Sequence, residues 1–286
     1  DTIEVTTPPD KLSYFTGETP VYTGLVVKAH YKTAGVETKT TQLGPDDCTI
    51  TPPDMTTAGA AKSVTVAYGG KTTTFNIDVI ARVETGITVT GALTKTTYNV
   101  GDTIDLAGVT VKQVWNDGSG PAAPLAELSF GPSTVITASG EFVAASASVE
   151  ITVSHNGHTA TQKLTVSINS PVVFDINNIH ATETVDTKYV AYGATVDQPP
   201  VAVKGYNFEH WYTDDPETAY VFGTPITAPV TLHAKWTAVE YDIEYRDERS
   251  ATNPGNPAKY KATDSDFTLL EPTDANYDFV GWYTDN

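Results

Sequence analysis

Sulfur is nearly absent from this chain, which has one cysteine, Cys48, and one methionine. A lone cysteine forms no internal disulfide and cannot build a zinc centre from several thiolates. Basic residues are also scarce: 17 Lys and Arg face 35 Asp and Glu, for a net charge of −18. That balance opposes binding to nucleic acid, whose phosphates require clustered cations, and docking on an anionic membrane surface. No run of about 18 apolar residues exists, so no membrane-spanning segment is expected. No basic stretch followed by an apolar one opens the chain, so any signal peptide is expected to have been removed. Gly-x-Ser-x-Gly, a phosphate-cradling glycine loop and a dinucleotide fingerprint are all missing. No cofactor and no catalytic residue is predicted.

Threonine, valine and tyrosine are abundant, with 21 glycines and 18 prolines spread along the 286 residues. β-Branched and aromatic side chains suit a pleated, half-buried surface, and Gly and Pro supply its turns. The chain therefore reads as all β, and its length calls for more than one core. Leu25 to Tyr31 is a strand candidate. Val64-Thr65-Val66 and Thr74 to Val79 flank Gly69-Gly70, a two-residue hairpin signal. The plan recurs: Tyr14, Gly17, Gly24 and Tyr31 map onto Tyr98, Gly101, Gly108 and Trp115 at an offset of 84. The closing hairpin maps at 87, so Gly69-Gly70 becomes Asn156-Gly157. Two tandem domains are predicted, 1–81 and 82–169, with a three-residue insertion between the matched blocks of the second.

A second repeat is sharper. Tyr206-x-Phe208-x-x-Trp211-Tyr212-Thr213-Asp214 returns as Tyr277-x-Phe279-x-x-Trp282-Tyr283-Thr284-Asp285 at a constant offset of 71. It divides the rest into units 170–238 and 239–286. The counterpart of Trp236 falls beyond Asn286, so the second unit is expected to be incomplete and less ordered. It also carries a turn-rich insertion, Asn253-Pro254-Gly255-Asn256-Pro257. On a plain strand Tyr206 and Phe208 share one face and Trp211 lies on the other, unless a bulge intervenes.

The motif Tyr98-x-x-Gly101-Asp102-x-Ile104-Asp105-Leu106-x-Gly108-Val109-x-Val111, with the Val64 to Thr72 hairpin, resembles bacterial immunoglobulin-like domains of surface proteins. The first copy departs from it, with Glu18 in place of the Asp and Pro20 to Thr23 where Asp-Leu is expected. The resemblance implies a Greek-key sandwich of two antiparallel sheets. Residues 171–237 resemble the Listeria–Bacteroides repeat, also met as the B repeat of internalins. The matching residues are Tyr192 to Val196, Pro199-Pro200, Gly205-Tyr206-x-Phe208-x-x-Trp211 to Asp214, and Thr224 to Thr227 into Thr231 to Trp236. That family implies a small β-rich module related to the ubiquitin-like grasp, strung in tandem on exported bacterial proteins.

The aromatics Tyr206, Phe208, Trp211 and Trp236 read first as core, each burying about 150–250 Å². The alternative is a sugar-stacking platform, with Trp115 and Trp211 as its candidate rings. Glu209 with Asp214, or Asp214 with Asp215, imitates a glycosidase carboxylate pair, but Glu209 becomes Val280 in the second copy. Asp46-Asp47 and Asp264-Ser265-Asp266 lack calcium-loop spacing. His155 and His158 flank the Asn156-Gly157 turn and read as hairpin decoration, replacing Tyr68 and Lys71. The expected function is a non-catalytic, extracellular, monomeric stalk or adhesion region of a bacterial surface protein. Its partner would be a host or cell-wall protein or glycan. The alternative is a carbohydrate-binding accessory region of a secreted glycan-active enzyme.

Overall fold

The computed structural model describes residues 1–246 and 255–284. Asn253 and Pro254 of the expected insertion lie outside the described residues, as does Asp285 of the second aromatic motif. The chain divides into two compact units. One comprises Asp1–Thr90, Thr110–Leu128 and Ser154–Gln162; the other comprises Gly91–Val109, Ser129–Val153 and Lys163–Asn286.

In the first unit, residues 1–80 form β1 (Thr2–Thr7), β2 (Ser13–Phe15), β3 (Val26–Thr33), β4 (Val36–Leu43), β5 (Thr49–Thr51), β6 (Gly59–Tyr68) and β7 (Lys71–Ile80). The sheets run β1-β3-β4 and β2-β7-β6-β5. Period-two alternation makes each sheet two-faced: Leu25, Val27 and Ala29 point inward, as do Val64 and Val66, and Ile77 and Val79. Leu25, Val27, Ala29 and Leu43 of the first sheet meet Val66 of the second, with Ile50, Tyr68 and Phe75 packed around them. This is a sandwich core. Gly69 and Gly70 both take positive φ, +55° and +73°, closing the predicted hairpin with the twist its strands need.

The expected purely antiparallel sheets are not what forms. β2 lies parallel to β7, with Tyr14 opposite Val79. The cause is Tyr14, which is 1% exposed and whose hydroxyl bonds the Val21 carbonyl at 2.7 Å and that of Lys11 at 3.0 Å. Those bonds fold the Gly17–Gly24 connection back on itself, so a three-residue strand joins the sheet edge in parallel. The same unit carries β8 (Glu84–Gly91), which pairs with β10 below.

The remaining strands are β9 (Thr97–Asn99), β10 (Val109–Trp115), β11 (Ser129–Gly131), β12 (Ser146–His155), β13 (His158–Thr159), β14 (Leu164–Asp175), β15 (Lys188–Val190), β16 (Tyr206–Tyr212), β17 (Val230–Ala238), β18 (Glu240–Asp242) and β19 (Lys259–Lys261). β8 pairs with β10 in the first unit, where the end of β12 also pairs with β13. In the second unit Tyr98 repeats the role of Tyr14. It is 1% exposed, its hydroxyl bonds Asp105, and β9 runs parallel to β14.

β14 organises the second unit. Its first half pairs with β12 and β9, and its second half with β15 and β17. The expected 169/170 boundary therefore falls inside one continuous strand. β15-β14-β17-β16 is a mixed sheet with β14 and β17 parallel at its centre. Its core holds Val172, Phe174, Val190, Trp211, Ile226, Leu232 and Ala234. The second repeat contributes the antiparallel pair β18-β19, and among the described residues 277–284 no strand forms.

Candidate functional site

The aromatic motif lies on β16. Phe208 pairs with Trp236 of β17, but the next pair is His210 with Lys235, so Glu209 is an extra residue opposite no partner. This bulge resets the alternation and turns Trp211 to the same side as Phe208. The rings of Phe208 and Trp211 lie 5.8 Å apart, Phe174 meets Trp211 edge-on at 5.1 Å, and Trp236 meets Phe208 at 5.4 Å. Trp211 is 1% exposed. The structure therefore corrects its candidacy as a stacking platform: a ring with neither face open to water is a core ring. Its indole N–H is buried without a hydrogen-bond partner, so burial here comes at a polar cost offset by packing. Trp236 is half-buried and donates its N–H to the Ile176 carbonyl at 2.6 Å.

Trp115 is the accessible candidate. It is half-buried at the end of β10, with its N–H held by the Gln113 side chain at 3.0 Å. The turn behind it is pinned. The Gly118 amide donates to the Trp115 carbonyl, and the Asn116 side chain bonds the Ala81 carbonyl and the Val83 amide. Asp117 caps Ser119 and pairs with Arg82. Hydrogen bonds from the Ser119 hydroxyl and amide, with Arg82 adding to them, hold its carboxyl at a pKa of about 2. Trp115 thus sits half-buried on a preorganised turn.

Three of the acidic candidates, Asp47, Asp215 and Asp264, act as turn caps. Asp47 accepts the Gly44 amide at 2.8 Å and Asp264 accepts that of Lys261 at 2.7 Å. Asp215 accepts the Glu217 amide and the Thr218 hydroxyl, which lower its pKa. Glu209 is bonded by the Thr237 hydroxyl, which with Lys235 lowers its pKa. A general acid requires the opposite shift, so neither Glu209 nor Asp215 is poised to donate a proton. Among the described residues no three His, Cys, Asp or Glu side chains converge as metal ligands. A cleft of about 480 Å³ opens beside the loop following β14. Two of its polar groups are already engaged: Asp175 with His233 and the Asn177 amide, and the Asn177 side chain with Tyr212.

His155 is not hairpin decoration. It is 1% exposed, with both ring nitrogens against carboxylates: Nδ1 lies 2.8 Å from Glu84 and Nε2 lies 3.1 Å from Glu127. Asn156 also donates to Glu84, at 2.9 Å. The one signal available in sequence is alternation, since Ile151, Val153 and His155 share the inward face of β12. Glu84 and Glu127, 71 and 28 residues away in sequence, give no local sign. On the sheet β1-β3-β4, His30 makes a more exposed version of the arrangement between Glu37 and Glu4, which raise its pKa.

Comparison with known proteins matches parts of the chain to two domain types. Residues 7–79 match the family model of a bacterial Ig-like domain (group 3), and 171–235 and 241–286 match that of the Listeria-Bacteroides repeat domain. The Ig-like match falls on the first copy, the one whose motif departs from the expected pattern. A protein named pectate lyase L from Thermoclostridium stercorarium is 33% identical over 129 residues, 45% of this chain and 10% of the relative. A putative membrane protein of Evansella cellulosilytica is 28% identical over 120 residues, 40% of this chain and 18% of the relative. The chain thus spans less than a fifth of either relative's length. The matched domain types are non-catalytic and typical of extracellular bacterial surface proteins. No helix among the described residues is long and apolar enough to cross a membrane.

Proposed function

We propose that this chain is a non-catalytic, extracellular stalk or adhesion region of a bacterial surface protein. It presents, or contributes to, a binding site for a host or cell-wall ligand. Residues 1–81 and 82–169 act in it as tandem Ig-like sandwiches, and 170–238 and 239–286 as repeat modules. The observation that carries this reading is the burial of Trp211. The most specific motif in the sequence is spent on a core rather than offered to a ligand. β14 supports it, because a strand shared by two sheets leaves no free linker at that junction.

A second reading, an accessory region of a glycan-active enzyme, is favoured by the similarity to the protein named pectate lyase L. Trp115, half-buried at the end of β10, would then carry the contact. A net charge of −18 opposes a polyanion such as pectate, so the glycan would have to be neutral. Tryptophan fluorescence of the whole chain, titrated with neutral and acidic glycans, separates the two. Emission that no glycan perturbs is the expected result. A saturable shift lost in Trp115→Ala would replace the stalk with the accessory region.

A further inference from the structure

His155 offers more than a buried ion pair. An imidazolium has two N–H donors and a neutral imidazole has one. The ring has a carboxylate at each nitrogen, so only the cation satisfies both. The two carboxylates differ. The Glu84 side chain is 7% exposed and is also held by Asn156, whereas that of Glu127 is 61% exposed. Glu127 ends the short 3-10 turn Leu125–Glu127, whose first residue, Leu125, is an apolar side chain left 68% exposed.

We propose that the Leu125–Glu127 turn is a latch set by the protonation of His155, closed while the ring is a cation and released when it is neutral. On loss of one proton, a lone pair on the ring nitrogen would face a carboxylate oxygen. Glu84 is largely shielded from water and also holds Asn156, so it retains the remaining N–H. Glu127 can be hydrated where it stands, so the Nε2 bond is the one that breaks, and the turn loses its tie to β12.

The charged groups facing this ring are Glu84 on β8 and Glu127 on the turn. His158 on β13 acts on the cluster through Glu84. The hydrogen bond to Glu84 raises the pKa of His155 most; burial opposes it and Glu127 adds to it. Stabilisation from a raised imidazole is fully present below its ordinary pKa of about 6.5 and is lost as pH climbs through the raised folded value. Burial alone would raise Glu84, but bonds from Asn156 and His155 outweigh it and the net shift is downward. Its contribution is present above the ordinary carboxylate range and is lost as pH falls through the lowered value. The latch is therefore closed from mildly acidic to near-neutral pH and opens above. The first copy has Tyr68 at the equivalent hairpin position, with its hydroxyl 3.4 Å from that of Tyr31, so that hairpin has no imidazole to titrate.

The test uses the full chain and Glu127→Gln, a substitution at an exposed side chain that keeps length and shape. Imidazole resonances are followed by NMR from pH 4 to 9, with His155→Gln used to assign the signal. Amide protection of residues 121–128, corrected for intrinsic exchange, is measured over the same range. His155 is expected to titrate above the ordinary range, with protection of the turn falling severalfold at the same midpoint. In Glu127→Gln the midpoint should drop and the turn should stay weakly protected at every pH. The latch is overturned if His155 titrates at or below the ordinary range, if protection ignores its titration, or if Glu127→Gln behaves as the wild type.

Discussion

The two repeats carry one aromatic motif and use it differently. In the first, β16 pairs with β17, the Glu209 bulge aligns Phe208 with Trp211, and Trp211 disappears into a core with Phe174 and Leu232. In the second, Phe279 and Trp282 still touch at 5.3 Å and Tyr245 takes a place beside Trp282 at 5.2 Å. The local cluster is thus retained. Yet Trp282 is only half-buried, and Tyr283 is 80% and Val280 85% exposed. No strand forms among the described residues 277–284. An aromatic motif therefore assembles its own rings locally, but a neighbouring strand is needed to make them a core. Backbone pairing and burial arrive together.

The largest effect should come from Trp211→Ala, which removes a fully buried ring and is expected to cost about 3–5 kcal/mol. Denaturant unfolding followed by near-UV circular dichroism would read it. Trp282→Ala, at a half-buried ring, should cost about 1 kcal/mol or less, and equal losses at the two sites would mean that both rings are core. Deleting Glu209 should destabilise the first repeat nearly as much as Trp211→Ala, because removing the bulge turns Trp211 to the opposite face of β16. Deleting Val280, where no strand forms, should leave the melting profile nearly unchanged. Amides of residues 206–212 should exchange far more slowly than those of 277–283, as measured by mass spectrometry. Similar protection would mean the second motif has found a strand partner. The smallest effect is expected for Glu240→Gln. This residue pairs with Lys259 and Lys261 across β18-β19 in open solvent, and no resolvable change in stability should follow.

Much of the architecture is legible in the sequence. The offsets of 84 and 87 match Tyr14 with Tyr98 and Gly69-Gly70 with Asn156-Gly157. Both tyrosines hold the equivalent hydroxyl bond, to the carbonyls of Val21 and Asp105. The Tyr206 motif locates β16, and the phase conflict between Phe208 and Trp211 announces the bulge that resolves it. The parallel edges β2 and β9 are not legible. They depend on where a buried tyrosine hydroxyl finds a carbonyl seven residues on. Nor is the continuity of β14, since the repeat units put a boundary at 169/170 and only pairing with neighbouring strands on both sides carries the strand across it.

The β class and the two repeats are written in local pattern, because side-chain alternation, turn chemistry and spacing survive in a one-dimensional record. Which aromatic rings are core, and which histidine sits between two carboxylates, is settled only in three dimensions. Burial of Trp211 depends on a strand some twenty residues away, and the charge on His155 depends on carboxylates 71 and 28 residues away. Solvent exclusion and Coulomb attraction act over ångströms in space and are indifferent to distance along the chain.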